Sequence, residues 1–403
     1  MGICGSRDKS PDSVINGKTK ERTKTKNDKV VRFFMAGMGS AGKSTIIRHL
    51  KYLCTTNSNY KYCNEDWSEK NDEIEGDDEI WKNKIRENII NAFDIFIKQV
   101  YKNGDKFENE ELEVFAKSLE HLYANKSEIP SVQMSDLFRE HLINLLNDPS
   151  FKNALALKNK IQIDEPERKP FDGLAYFLNE SKLKEVFYTS YVPSEEDKIH
   201  SRLPTIEVHR YYFMLNKTKI EIYDAGGQAS ERVRLLSYLS KWNTGQNSNS
   251  NNRSFILFVV SLSDYNVKHP EYPDKTLLDE SAAFMDALLN SEHTRHCGVL
   301  IFFNKKDRFF EKITDELCRD DVDYIKEGLS PAELRDYKLN GKFKKDKMFD
   351  AVELKFTKLL QEKHKKKSSY SRNTCAVDPK IMETFHDVIK NEILLENVSG
   401  LLP

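Results

Sequence analysis

Blocks of different hydrophobic period divide the chain. Lys29–Ala36 is an apolar run of strand length, and Ser44–Lys51 starts a helix that continues to about Leu53. Thr55–Asp78, rich in Asn, Asp, Glu and Lys, reads as a loop. Over residues 79–190 the period is helical. Trp81, Ile85, Ile89, Phe93, Phe96 and Val100 recur at spacings of four and three, the apolar stripe of an amphipathic helix. Glu110–Tyr123, Ser135–Asn147 and Phe171–Glu185 carry further helical patterns, with no strand-like alternation between them. This predicts a separate all-α domain whose Leu and aromatic stripe is core. From about residue 205 the period changes again. Glu207–Leu215 and Thr218–Tyr223 read as strands joined by a turn at Asn216-Lys217. Phe255–Leu262 and Gly298–Phe303 are continuous apolar runs of the buried parallel-strand type. Helices are expected over Ser230–Ser240 and Leu277–Asn290, then a short strand near Thr374–Ala376 and a terminal helix over Pro379–Leu395. Alternating strands and helices predict a doubly wound α/β domain. The expected division is a tail over 1–28, the α/β domain over 29–57 and 199–403, and the inserted helical domain with its linkers over 58–198.

Two polar stretches stand apart. Asn243–Arg253 predicts a mobile surface loop, and Lys363–Ser371 a basic loop read as a solvated face. The 403 residues carry a net charge of −1, which gives no polybasic argument for nucleic acid. Cys4, Cys54, Cys63, Cys297, Cys318 and Cys375 form no Cys-x-x-Cys pair and read as reduced thiols. No apolar run reaches membrane-spanning length, and no signal peptide is recognised. Met1-Gly2-Ile3-Cys4-Gly5-Ser6 does match a myristoylation acceptor at Gly2. One acyl chain binds membranes only marginally. Palmitate on Cys4 and the basic residues from Lys18 to Lys29 supply a second signal. In residues 7–28, Pro11 and Gly17 interrupt any helix.

The chemistry starts at Gly37-Met38-Gly39-Ser40-Ala41-Gly42-Lys43-Ser44, a G-x-x-x-x-G-K-[ST] phosphate loop between a strand and a helix. Its backbone N–H groups and the helix N-terminus suit phosphate oxygens. Lys43 reaches the β- and γ-phosphates, and the Ser44 hydroxyl suits Mg²⁺. Asn304-Lys305-Lys306-Asp307 follows an apolar strand, so it lies at the sheet edge where ligands bind. A carboxylate there accepts from the ring N–H and the amino group of guanine, a donor pair that adenine lacks. Asp224-Ala225-Gly226-Gly227-Gln228 also follows a strand. Asp224 suits an outer-sphere Mg²⁺ contact. The bare backbone of Gly226 suits a γ-phosphate, and Gln228 suits the attacking water.

These residues together resemble the α subunits of heterotrimeric G proteins, over nearly the whole chain. Three features select that family: the position of the helical insertion, the stretch Tyr191–Thr205 as linker and first switch, and Thr374-Cys375-Ala376 as second guanine loop. Leu262-Ser263-Asp264-Tyr265 and Ala175-Tyr176-Phe177-Leu178-Asn179 are lesser matches. The resemblance implies a Ras-like P-loop GTPase domain carrying a helical domain. It implies Arg202 as built-in arginine finger, with Lys43 and Gln228 the other catalytic residues. Thr205 is then the second direct Mg²⁺ ligand beside Ser44. Nucleotide contacts come from Gly39, Ser40, Ala41, Gly42, Lys43, Ser44 and Thr45, from Ile199, His200, Ser201 and Arg202, and from Asp224 and Gly227. Asn304, Lys305, Asp307, Cys375 and Ala376 hold the base. Arg232 and Glu280 occupy positions that the family pairs when GTP is bound. The implied activity is slow hydrolysis of GTP to GDP by a signal transducer lipid-anchored at the cytoplasmic face of the plasma membrane. A receptor, an effector, GTPase-accelerating regulators and Gβγ are the implied partners.

The chain departs from the pattern in places. Ser40 replaces the family's Glu, which can pair with the switch arginine, so the clasp on GDP is expected to be looser. Pro204, Ile206 and Glu207 alter the first switch where regulators dock. Ala229 and Leu235 replace an Arg and a Trp that help hold Gβγ. A nucleotide-bound scaffold with negligible turnover and a self-activating α subunit stay open as alternatives. The helical insertion and Arg202 oppose a small trafficking GTPase, and Asn304 with Asp307 opposes an ATPase.

Overall fold

The structure, a computed structural model, describes residues 30–70, 78–131, 135–161, 173–203, 208–215, 218–227, 229–244, 253–363, 369–378, 380 and 383. Seven strands form a sheet in the order β2-β3-β4-β1-β5-β6-β7. They are β1 (Val30–Ala36), β2 (Tyr60–Cys63), β3 (His209–Leu215), β4 (Thr218–Asp224), β5 (Arg253–Ser261), β6 (Gly298–Asn304) and β7 (Ser369–Asn373). β4, β1, β5, β6 and β7 run parallel, and β3 and β2 complete the sheet antiparallel. The period-2 alternation of side chains splits each central strand between two cores. Phe34, Ile256, Phe258 and Val260 face one, and Phe33, Met35, Phe255 and Leu257 the other.

Helix α1 (Lys43–Thr56) packs Ile46, Ile47 and Leu50 into the second of these cores. The first core is closed by α9 (Ala229–Thr244), α10 (Leu277–Leu289), α11 (Lys306–Thr314), a 3₁₀ segment Glu316–Gly328, α12 (Pro331–Asn340) and α13 (Lys345–Lys363). Sequence pattern alone assigns none of the elements from Lys306 to Lys363. A third core belongs to the helices between β2 and β3. These are α2 (Asp78–Lys102), α3 (Glu110–Ala124), α4 (Asp136–Asn147), α5 (Pro149–Ala156), α6 (Leu174–Phe177) and α7 (Glu180–Val186). Ile85, Ile89, Phe93, Phe96 and Val100 of α2 lie in it, so the predicted stripe is indeed core. A linker helix, α8 (Glu195–His200), returns the chain to the sheet.

The sequence reading needs four corrections. Tyr60–Cys63, expected as loop and placed by the 58–198 boundary in the helical insertion, is β2 and pairs with β3. It is a four-residue edge strand, too short for a periodic signal. The last strand is Ser369–Asn373, not Thr374–Ala376, and takes residues from the expected basic loop. Phe171–Glu185 is not one helix. Asn179 accepts from the Lys182 N–H at 3.0 Å and so caps a new helix, α7, after α6 has ended. Asn243 and Thr244 end α9 and Arg253 begins β5, while the rest of that polar stretch lies outside the described residues. Residues 1–29, the turn at Asn216-Lys217 and nearly all of the expected terminal helix also lie outside them.

Because the helical core is self-contained, truncating it should be costly. Phe93→Ala is expected to lower the unfolding free energy by about 3–5 kcal/mol, measured by urea denaturation.

Candidate nucleotide site

The loops at the C-terminal ends of β1, β4, β6 and β7, with the end of α8, enclose one cavity of about 300 Å³. Its first wall is the loop after β1. Gly37 has φ 145°, and a Cβ there would run into the Val259 carbonyl oxygen. Gly42 has φ 100°, and its Cβ would overlap the Asn304 amide. Ser40 holds φ 66° despite its side chain, and its buried hydroxyl has no hydrogen-bond partner. Gly42 gives α1 no side-chain cap, so an anion is the natural acceptor for the first-turn N–H groups. Lys43, 6% exposed, donates to the Gly37 and Met38 carbonyls at 2.8 and 3.2 Å. Gly227 leaves room for it, since a Cβ at 227 would meet the Lys43 ammonium.

Beside the lysine, the Ser44 hydroxyl lies 3.4 Å from the Asp224 carboxylate. Asp224 is buried, and its second oxygen has no hydrogen-bond partner. Burial pushes this carboxyl up to about 6, against the pull of Lys43. A buried, half-satisfied carboxylate next to a hydroxyl suits Mg²⁺, which takes one or two protein oxygens and completes its shell with phosphates and water. The residues present therefore fit the ion.

Asn304 closes the far end. Fully buried, it donates to the Ala41 carbonyl at 2.8 Å and accepts from the Thr374 hydroxyl at 3.4 Å. Lys305 follows in the left-handed region at φ 60° and starts α11. Asp307, Cys375 and Ala376 line the same end, and burial with Asp307 alongside pushes the Cys375 thiol up to about 12. The Ala376 carbonyl accepts from His49 at 2.9 Å.

Ile199, His200, Ser201 and Arg202 form the remaining wall. Ser194 and Asp197 make a capping box at the start of α8. Asp197 also accepts from Tyr176, Tyr191 and Lys182 at 2.9, 2.9 and 2.6 Å. Burial works to raise its carboxyl, but those bonds hold it below the usual range. His200 stacks on Tyr176, ring centroids 4.2 Å apart, and burial lowers its pKa.

Gly39, Ser40, Gly42, Lys43, Ser44, Thr45, Ile199, His200, Ser201, Arg202, Gly227, Asn304, Lys305, Asp307, Cys375 and Ala376 thus meet at one cavity. Ala41 and Asp224 stand behind that lining and touch it through Asn304 and Ser44. Thr205, Gln228, Gly2 and Cys4 lie outside the described residues. Sequence reading missed Arg48, one turn beyond Ser44. Its guanidinium donates to the Lys198 carbonyl at 2.5 Å and lies 5.3 Å over Trp81, and burial lowers it to about 10. It also missed Arg308 and Glu311, which line the cavity where the helical unit docks. Lys158 pairs with Glu311 at 2.6 Å, Lys160 with Asp321 at 2.7 Å, and Asn159 donates to Asp315 at 2.9 Å.

A family model described as G-protein alpha subunit matches residues 9–393. The chain belongs to the G-protein α-subunit family. As such it is a GTP-binding signal transducer and a GTPase, with a Ras-like domain and an inserted helical domain. It is 25% identical over 410 residues to the guanine nucleotide-binding protein alpha-7 subunit of Caenorhabditis elegans, covering 100% of this chain and 99% of that one. Identity to the alpha-6 subunit of Dictyostelium discoideum is 25% over 404 residues, 99% of each chain. One feature of this α subunit follows the family pattern and one departs from it. Arg232 and Glu280 are paired at 2.6 Å, the arrangement expected with GTP. Leu235, at the position of the family's Trp, is 3% exposed and packs into the core, whereas Val233 is 83% exposed.

Gly42→Ala is expected to weaken GDP binding about a hundredfold or more, because both φ and the space held by Asn304 exclude a methyl. Calorimetric titration of the variant checks this.

Proposed function

We propose that this cavity takes GTP or GDP with Mg²⁺, and that the chain cycles between the two states by slow hydrolysis. What carries the reading is the convergence of a phosphate loop, a guanine-type Asn304–Asp307 loop and Arg202 on one cavity. Asp307 accepts from the guanine ring N–H and amino group, and the N–H groups of Cys375 and Ala376 donate to O6. Lys43 turns from its loop carbonyls to the β- and γ-oxygens. Ser44 and Thr205 would hold the metal, with Asp224 supporting it. Bound there, Mg²⁺ supplies neutralisation of the charge on the β- and γ-phosphates. Arg202 stabilises charge that develops as the γ-phosphoryl leaves, and Gln228 orients the water in line. Phosphoryl transfer rewards such positioning and electrostatics above covalent help. Alpha subunits with the arginine in cis turn over at about 10⁻² s⁻¹.

The Arg232–Glu280 pair ties α9 to α10, so the γ-phosphate is read out as the position of the second switch. Myristate on Gly2 and palmitate on Cys4 tether the chain to the cytoplasmic face of the plasma membrane. There it couples a receptor to an effector, under regulators that accelerate hydrolysis. Family membership favours Gβγ as a partner, although Leu235, turned inward, offers no surface where the family presents a Trp.

Gln228→Leu should keep GTP binding and slow single-turnover phosphate release by about a hundredfold or more. Wild-type turnover in that variant would remove the assigned role. An unaltered wild-type chain that binds GTP without ever hydrolysing it would instead point to the scaffold. In cells, Gly2→Ala should shift the protein from the membrane to the soluble fraction, and an unchanged distribution would count against acylation.

A further inference from the structure

We propose that Asn88 is a positioning residue for GTP hydrolysis. From the helical domain its amide holds the backbone of the arginine loop. The proposal rests on the reading of Arg202 as the catalytic arginine. Asn88, 7% exposed on α2, directs its amide nitrogen to the Ser201 hydroxyl and the Arg202 carbonyl, each at 2.9 Å. The Arg202 carbonyl can only accept, so the NH₂ end of the amide must face it. Both bonds cross from the inserted domain to the segment joining it to the sheet.

The donor is itself fixed. Ile85 and Ile89 on either side are fully buried in the helical core. Arg86 donates to the Val186 and Tyr188 carbonyls at 3.0 and 2.8 Å, locking α2 to the end of α7. About two turns before Asn88, Trp81 packs on Ile199 of α8. On the acceptor side, Ser201 is buried and Leu203, next after Arg202, is exposed. Asn88 therefore pins the arginine loop where it leaves the protein interior. An Asn that merely satisfied buried polar groups would matter equally for folding and for nucleotide affinity. One that aims Arg202 matters selectively for hydrolysis, because an ångström of misplacement is felt in the transition state before it is felt in the ground state. The arrangement also makes hydrolysis contingent on a docked helical domain, since undocking withdraws the anchor.

The test uses the full chain preloaded with GTP, with phosphate release started by Mg²⁺. Asn88→Leu is expected to slow single-turnover hydrolysis by about tenfold to a hundredfold, while GDP and GTPγS affinities stay within about threefold. In the Arg202→Ala background Asn88→Leu should add no further loss, because both changes act on one group. If the leucine variant fails to fold, Asn88→Asp keeps the volume but cannot donate to the Arg202 carbonyl, and the same selective slowing is expected. Wild-type hydrolysis in a folded Asn88 variant would overturn the proposal. So would additive losses in the double variant, or an affinity loss as large as the rate loss. In all three cases a slow Arg202→Ala leaves the arginine reading standing. If Arg202→Ala hydrolyses normally, that reading fails first and takes the proposal with it.

Discussion

A single buried amide joins the two halves of the pocket. Asn304 reaches from the end of β6 to the Ala41 carbonyl and receives the Thr374 hydroxyl in return. The loop after β1, the end of β6 and the loop after β7 are thereby tied together. Each bond alone contributes about 1 kcal/mol. Its structural weight is larger, because leaving a fully buried amide unsatisfied costs about 1–3 kcal/mol more. The glycine at position 42 follows from this contact. The amide occupies the space a Cβ would need, and the left-handed φ that lets the loop wrap inward excludes most other residues.

The helical domain is held by contacts of a different kind. Its own core is closed, and Trp81 packs outside it, against Ile199 and Val377. Polar contacts accompany it. Lys158–Glu311 and Lys160–Asp321 are partly exposed ion pairs, each worth about 0–1 kcal/mol and screened by salt. Arg48 is the deeper tie, since its charge is buried against Trp81 and the Lys198 carbonyl. Modest bonds together with the buried Arg48 make an interface that closes over a ligand and can still reopen. A nucleotide switch needs both.

The residues that chemistry fixes at short spacing were legible in the chain. A phosphate loop needs glycines, a lysine and a hydroxyl in consecutive order, and Gly37–Ser44 announces that without a fold. The same holds for Asn304–Asp307 and Asp224–Gly227, which follow apolar strands whose burial demands a continuous hydrophobic run. Edge strands gave no such signal. β2 and β7 each pair on one side within the described sheet, so Tyr60–Cys63 and Ser369–Asn373 are free to carry polar residues and read as loop. The split of α6 from α7 depended on the side chain of Asn179 competing with the backbone, a local event that periodicity averages away. Arg48, Asn88 and Arg308 gain their meaning from partners more than a hundred residues distant, and no window of sequence contains that.

Ser40 links these points. In the family a carboxylate at this place can clasp the switch arginine over the nucleotide. Here the side chain is a hydroxyl, buried without a partner, on a residue held at φ 66°. It cannot supply an ion pair, and its short reach confines it to the phosphate side of the cavity. At Arg202 the backbone carbonyl accepts from Asn88 of α2. A backbone anchor of this kind depends on where the helical domain sits. On the proposed reading, orientation of the arginine falls to the amide of Asn88, a residue that composition and periodicity give no reason to notice.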